Sequence, residues 1–146
     1  NDIWQGPSWA SMEFGGRWKP LHYTVRRTFA PTAMSAYQKD GDNSVSFHVV
    51  SDELKSRLSS VTYSYVSLTQ PGVESLINVI LRSYNPPHQL FNNYLIDDKT
   101  LAKYNCTKTS CVLKATMEGA PDVWHFMTQV KNLELQPNTL TVTNFR

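Results

Sequence analysis

The stretch SVSFHVV, residues 44–50, decides the fold class. Its apolar residues Val45, Phe47 and Val49 alternate with Ser44, Ser46 and His48, the period of a strand with one buried face. A helix would place its apolar residues three and four positions apart instead. The same alternation returns in VTYSYVSL, residues 61–68, through Val61, Tyr63 and Tyr65. Further strand candidates lie at residues 76–84, 94–96, 111–117, 123–130 and 140–145. Turn residues separate them: Asp40-Gly41-Asp42, Gln70-Pro71-Gly72, Asn85-Pro86-Pro87, Gly119-Ala120-Pro121 and Gln136-Pro137-Asn138. Short strands at this spacing predict a mainly β chain, folded as an antiparallel β-sandwich of immunoglobulin-like type. The Cys…Trp…Cys signature of antibody domains is absent, so the expectation concerns architecture only.

Upstream the period becomes helical. Trp18, Leu21, Val25 and Phe29 recur at three- and four-residue steps, which predicts a helix over residues 17–30 with that face buried and Pro31 as its end. Pro20 falls in the first turn, where its missing N–H costs little. Before it, Pro7, Gly15 and Gly16 mark an ordered loop. The domain division expected is residues 1–35 for the loop and helix and 36–146 for the sandwich.

Composition narrows the function. A chain of 146 residues has room for one ordinary domain and not for a catalytic barrel of roughly 250. The charged fraction is 18% and the net charge +2, with no basic run beyond Arg26–Arg27, so no nucleic-acid footprint is present. No stretch of about 18 apolar residues is available to span a membrane. Nucleotide-binding glycine loops and the serine-hydrolase elbow are missing, and His22, His48, His88 and His125 are scattered without metal-ligand spacing, so no cofactor or metal is expected.

The cysteines stand in YNCTKTSC, as Cys106 and Cys111. No second Cys or His pair completes a zinc site, and a local disulfide at a hairpin tip fits better than free thiols. Asn105-Cys106-Thr107 is an N-glycosylation triplet. Together they point to an oxidising secretory route, extracellular or lysosomal. Sugar hydrolysis needs two facing carboxylates. Asp2 and Glu13 are the acids nearest to aromatic residues, but Glu13 fits a structural role, such as pairing with Arg17; Asp52–Glu53 and Asp97–Asp98 read as solvated loop acids. Trp4, Trp9 and Trp18 would serve either as a carbohydrate platform or as packing.

NDIWQGPSWASMEFGGRWKPLHY, residues 1–23, resembles the segment in which lysosomal-type β-mannosidases of glycoside hydrolase family two finish their catalytic (β/α)8 barrel. Gly6 replaces the usual Ala, and Pro20 the usual Met or Val. TFAP at residues 28–31, YNCTKTSC and VWHFM at residues 123–127 are similar to later motifs of the same family. The resemblance implies a C-terminal portion: last barrel strand, last barrel helix over residues 17–30, then the sandwich that follows the barrel, without a final sandwich domain. The family removes terminal β-D-mannose with two Glu residues, both of them upstream of this segment, so the chain alone is expected to be inactive. Asn1, Asp2 and Trp4 would reach substrate only beside a barrel, at the carboxyl end of its last strand. Two functions stay open. One is a non-catalytic part held by a larger N-terminal β-mannosidase chain that carries the barrel. The other is a free-standing secreted module that binds a carbohydrate, a receptor or another protein.

Overall fold

The computed structural model describes residues 9–53, 56–84 and 88–137. Helix α1 (Pro20–Thr28) precedes strands β1 (Thr32–Tyr37), β2 (Ser44–Ser51), β3 (Arg57–Ser67), β4 (Glu74–Tyr84) and β5 (His88–Leu95). A short helix α2 (Asp98–Ala102) leads to β6 (Cys111–Met117) and β7 (Val123–Phe126). Every strand pairing is antiparallel. One sheet has the order β1-β2-β5 and the other β4-β3-β6-β7. The chain changes sheet between β2 and β3, between β4 and β5, and between β5 and β6, the crossings of an immunoglobulin-like sandwich.

Alternation along the strands builds the core. Val45, Phe47 and Val49 of β2 are fully buried, as are Val61 and Tyr63 of β3, with Tyr65 almost so. β3 runs between β4 and β6, so both its edges are paired. From β6, Leu113, Ala115 and Met117 face the same interior. The two sheets meet through rings: Phe47 stands edge-on to Tyr63 at 5.0 Å, and Tyr63 lies 4.4 Å from Tyr94 of β5. Ile96 and Leu101 are fully buried and belong to the same core. Burial pushes the Tyr65 phenol up to about 12, so it stays neutral.

The turns behave as their residues require. Gly119 closes the β6–β7 hairpin at a φ of 80°, in the left-handed region that glycine enters without strain, and Ala120 N–H bonds the Met117 carbonyl at 3.2 Å.

Several elements differ from the sequence expectation. β1 spans the expected boundary between residues 35 and 36 and pairs with β2 along its whole length. Its period was masked by Thr32, a buried polar residue whose hydroxyl is 2.9 Å from that of Ser51. β5 runs from His88, longer than residues 94–96. β7 stops at Phe126, and residues Val130–Asn132 form a 3-10 turn. α1 is shorter than residues 17–30: an isolated bridge between Met12 and Trp18 folds the preceding stretch back on itself, and Lys19 is still extended. Pro20 sits in the first turn, as its position requires. The strand expected over residues 140–145 lies outside the described residues. Cys106 and Cys111 are bonded, joining the loop after α2 to the first residue of β6 rather than closing a hairpin tip.

A bridge over so short a loop is worth about 2 kcal/mol in the loop-entropy argument. Truncating a buried ring costs about 3–5 kcal/mol. Urea denaturation should therefore rank Phe47→Ala as clearly more destabilising than the paired change Cys106→Ser with Cys111→Ser. The reverse order would mean that the bridge, not the ring contact, holds the sandwich.

Candidate functional site

A cleft of about 620 Å3 lies between the end of α1, the β1–β2 edge and the β6–β7 turn. Its position follows from a tight junction. Only residues 29–31 separate α1 from β1, and Asp52 N–H bonds the Pro31 carbonyl at 2.8 Å, so the helix leaves the sheet at a fixed point. On the opposite wall Arg27 donates to the Asp122 carbonyl at 2.7 Å. Phe29, Val50 and Trp124 line the cleft, and all three keep much of their surface exposed.

The sandwich leaves the apolar face of α1 largely uncovered. Leu21 is 53% exposed and Phe29 80%, Val25 is half-buried, and no residue of the helix reaches full burial. The helix is joined to the sandwich by the Arg27 contact at its end, and none of its residues is buried. Trp18 does pack, but locally, 4.4 Å from the His22 ring and 5.2 Å from Tyr23. His22 is half-buried, its Nδ1 2.9 Å from the Ser11 hydroxyl, which is a structural role. Trp9 is fully exposed. Trp4, like Asn1 and Asp2, lies outside the described residues.

The acids have structural work too. Glu13 and Arg17 stand 4.0 Å apart, and the backbone N–H of Glu13 bonds the Arg17 carbonyl across the Gly15–Gly16 turn. Asp97 is an N-cap: it accepts from Thr100 N–H at 2.7 Å, the bond that holds its carboxyl below the usual range. Asp97 three residues before Thr100, with Leu101 following, was the available signal for α2. On the outer face of the larger sheet, Lys114 lies 3.4 Å from Glu74 and 4.0 Å from Asp122, with its ammonium 5.3 Å from the Trp124 ring. The Ser64 hydroxyl, then Lys114, lower the Glu74 carboxyl. Glu74, Lys114 and Asp122 thus form an ion-pair network on this face. Among the described residues no group of His, Cys, Asp or Glu is arranged to hold a metal, and no helix is long and apolar enough to cross a membrane. Asn105 is exposed beside the buried Cys106–Cys111 bridge.

Fold and cleft define an immunoglobulin-like sandwich that carries an uncovered helix. No family model matches the chain. The β-mannosidase of Mus musculus is 31% identical over 140 residues, 90% of this chain and 16% of that protein. The β-mannosidase of Capra hircus is 31% identical over 160 aligned positions, 98% of this chain and 17% of that protein. A solved β-D-mannosidase from Dictyoglomus thermophilum matches with a TM-score of 0.68 at 16% identity, over 92% of this chain and 16% of that one; at this identity the likeness concerns the fold. The chain thus spans about a sixth of the length of these relatives. It corresponds to a C-terminal portion of a β-mannosidase.

His125 at the centre of β7 offers a pH test. Its Nε2 lies 2.9 Å from the Gln38 side-chain oxygen, and burial lowers its pKa from the ordinary 6.5. The unfolded chain therefore binds a proton that the folded chain refuses. Stability is full above 6.5 and falls as the pH drops from there through the folded value. In His125→Gln, urea midpoints should lose part of this slope just below 6.5. An unchanged slope would mean that other groups set it.

Proposed function

We propose that this chain is a non-catalytic supporting part of a β-mannosidase-like glycoside hydrolase, bound to the larger portion that carries the barrel. The observation behind it is α1, a helix with no buried residue, which leaves Leu21 and, at its C-cap, Phe29 exposed. Burying a leucine- or phenylalanine-sized side chain is worth about 1.5–3 kcal/mol, so an uncovered face of this kind is a strong site for a second surface. In that complex Asn1, Asp2 and Trp4 are the residues of this chain nearest to substrate, at the carboxyl end of the last barrel strand. Terminal β-D-mannose is the sugar class. Both catalytic Glu residues come from the partner portion, and this chain alone is inactive. The Cys106–Cys111 bond supports synthesis through the secretory route, ending outside the cell or in the lysosome.

The test is the mass of native material, first under non-denaturing and then under denaturing conditions. A large assembly that hydrolyses a β-mannoside and contains this sequence is the expected outcome. A strictly lone species of 16.7 kDa would sink the reading and point to a free-standing module. Leu21→Asp with Phe29→Asp should weaken the association more than about tenfold, since each lost burial removes at least about one such factor. The same pair should leave the urea midpoint of the sandwich unchanged, because neither residue is part of its core.

A further inference from the structure

We infer that the bond after Arg27 is a cleavage site for an endoprotease specific for paired basic residues, reached by opening α1 while the sandwich stays folded. Arg26–Arg27 is the only pair of adjacent basic residues in the sequence. Both are exposed and stand in the last turn of α1. A serine protease that takes an arginine in an acidic pocket needs that side chain released and the backbone around it extended along its own cleft.

Little holds the site closed. The bonds across it are local: Phe29 N–H donates to the Val25 carbonyl at 2.9 Å, and the Thr28 hydroxyl to the Thr24 carbonyl at 3.0 Å. α1 has nine residues, its N-cap Lys19 contributes no side-chain capping bond, and from Thr24 to Pro31 no residue is buried. Helices this short are marginal alone in water. The Arg27 guanidinium donates to the Asp122 carbonyl at 2.7 Å, an exposed bond that must break before the side chain can enter a pocket. Beyond the site the chain is pinned again: Asp52 N–H bonds the Pro31 carbonyl at 2.8 Å, and β1 starts at Thr32. Opening therefore ends at Pro31 and leaves both sheets intact.

In the cleavage the protease serine oxygen attacks the Arg27 carbonyl carbon, the bond to the Thr28 nitrogen breaks, and that nitrogen takes a proton. Water then displaces the serine and leaves Arg27 with a carboxyl group. One water is consumed, and nothing is oxidised or reduced. The piece that begins at Thr28 keeps every residue of the core, and the other piece carries Leu21 away. One cut thus removes an anchor of the association proposed above without unfolding the sandwich. That consequence rests on the docking role of α1; the cleavage itself does not.

The experiment gives the intact 146-residue chain, and separately a short peptide of residues 20–33, to a dibasic-specific endoprotease, with mass spectrometry as the readout. The peptide reports the rate at an open site, so the ratio of the two rates is the fraction of chains with α1 open. A single cut after Arg27, at more than about one hundredth of the peptide rate, is expected for so marginal a helix. Cutting through global unfolding alone would hold the ratio at about one in several thousand or less. The ratio should also stay nearly flat in urea below the unfolding midpoint, because opening one short helix exposes little surface. Arg26→Gln with Arg27→Gln should abolish the cut, and the piece from Thr28 onward should keep the urea midpoint of the intact chain. A ratio below the expected bound, or one that climbs with the full urea slope of unfolding, would overturn the site. The chain is assayed alone, so failure here speaks to α1 and its arginines, whereas the native mass speaks to whether α1 has a partner.

Discussion

The contact of Phe47 with Tyr63, and of Tyr63 with Tyr94, is the point on which the sandwich depends. It is where a strand of one sheet meets a strand of the other, and each ring can reach its neighbour only if its strand keeps the right face inward. A slip of one residue in β2 or β3 would turn the whole apolar set outward. The registers of β2 with β5 and of β3 with β4 each shift once, between Phe47 and His48 and between Tyr63 and Ser64. Both shifts sit directly beside the inter-sheet rings. Bulges of this kind sharpen local twist, and here they fall where two twisted sheets must bring their rings face to edge.

That dependence explains what was legible. β2, β3 and β6 could be read because burial on one face and exposure on the other is written in residue type, as Val45, Phe47 and Val49 against Ser44, Ser46 and His48. β1 could not be placed the same way, since its buried positions are Thr32 and Met34 and its outward ones include Ala33. A buried hydroxyl satisfied by Ser51 looks in sequence like a loop residue. α2 was hidden for a related reason: Asp97 looks like a solvated acid until its bond to Thr100 is seen. The candidate site was less legible still. The cleft is made by one short junction, by Arg27 and by the β6–β7 turn, and residues so far apart in sequence carry no local period.

The helical face of α1 was legible as a pattern, and that the sandwich leaves it largely uncovered has an energetic meaning. Helices below about 12–15 residues are marginal alone in water, because the first turn costs six dihedrals for one hydrogen bond. α1 has nine residues, and its N-cap contributes no side-chain bond. Arg27 to the Asp122 carbonyl is an exposed hydrogen bond, with a net worth of about 0.5–1.5 kcal/mol. The Ser11–His22 bond and the Trp18 contacts steady only the first turn. Covering what Leu21 and Phe29 still expose would add about 2–4 kcal/mol. The stabilisation of the helix is thus weighted toward a surface that the sandwich does not provide. Phe29, Val50 and Trp124 add exposed apolar surface at the sandwich edge, in a cleft that α1 lines with Thr24, Arg27 and Thr28.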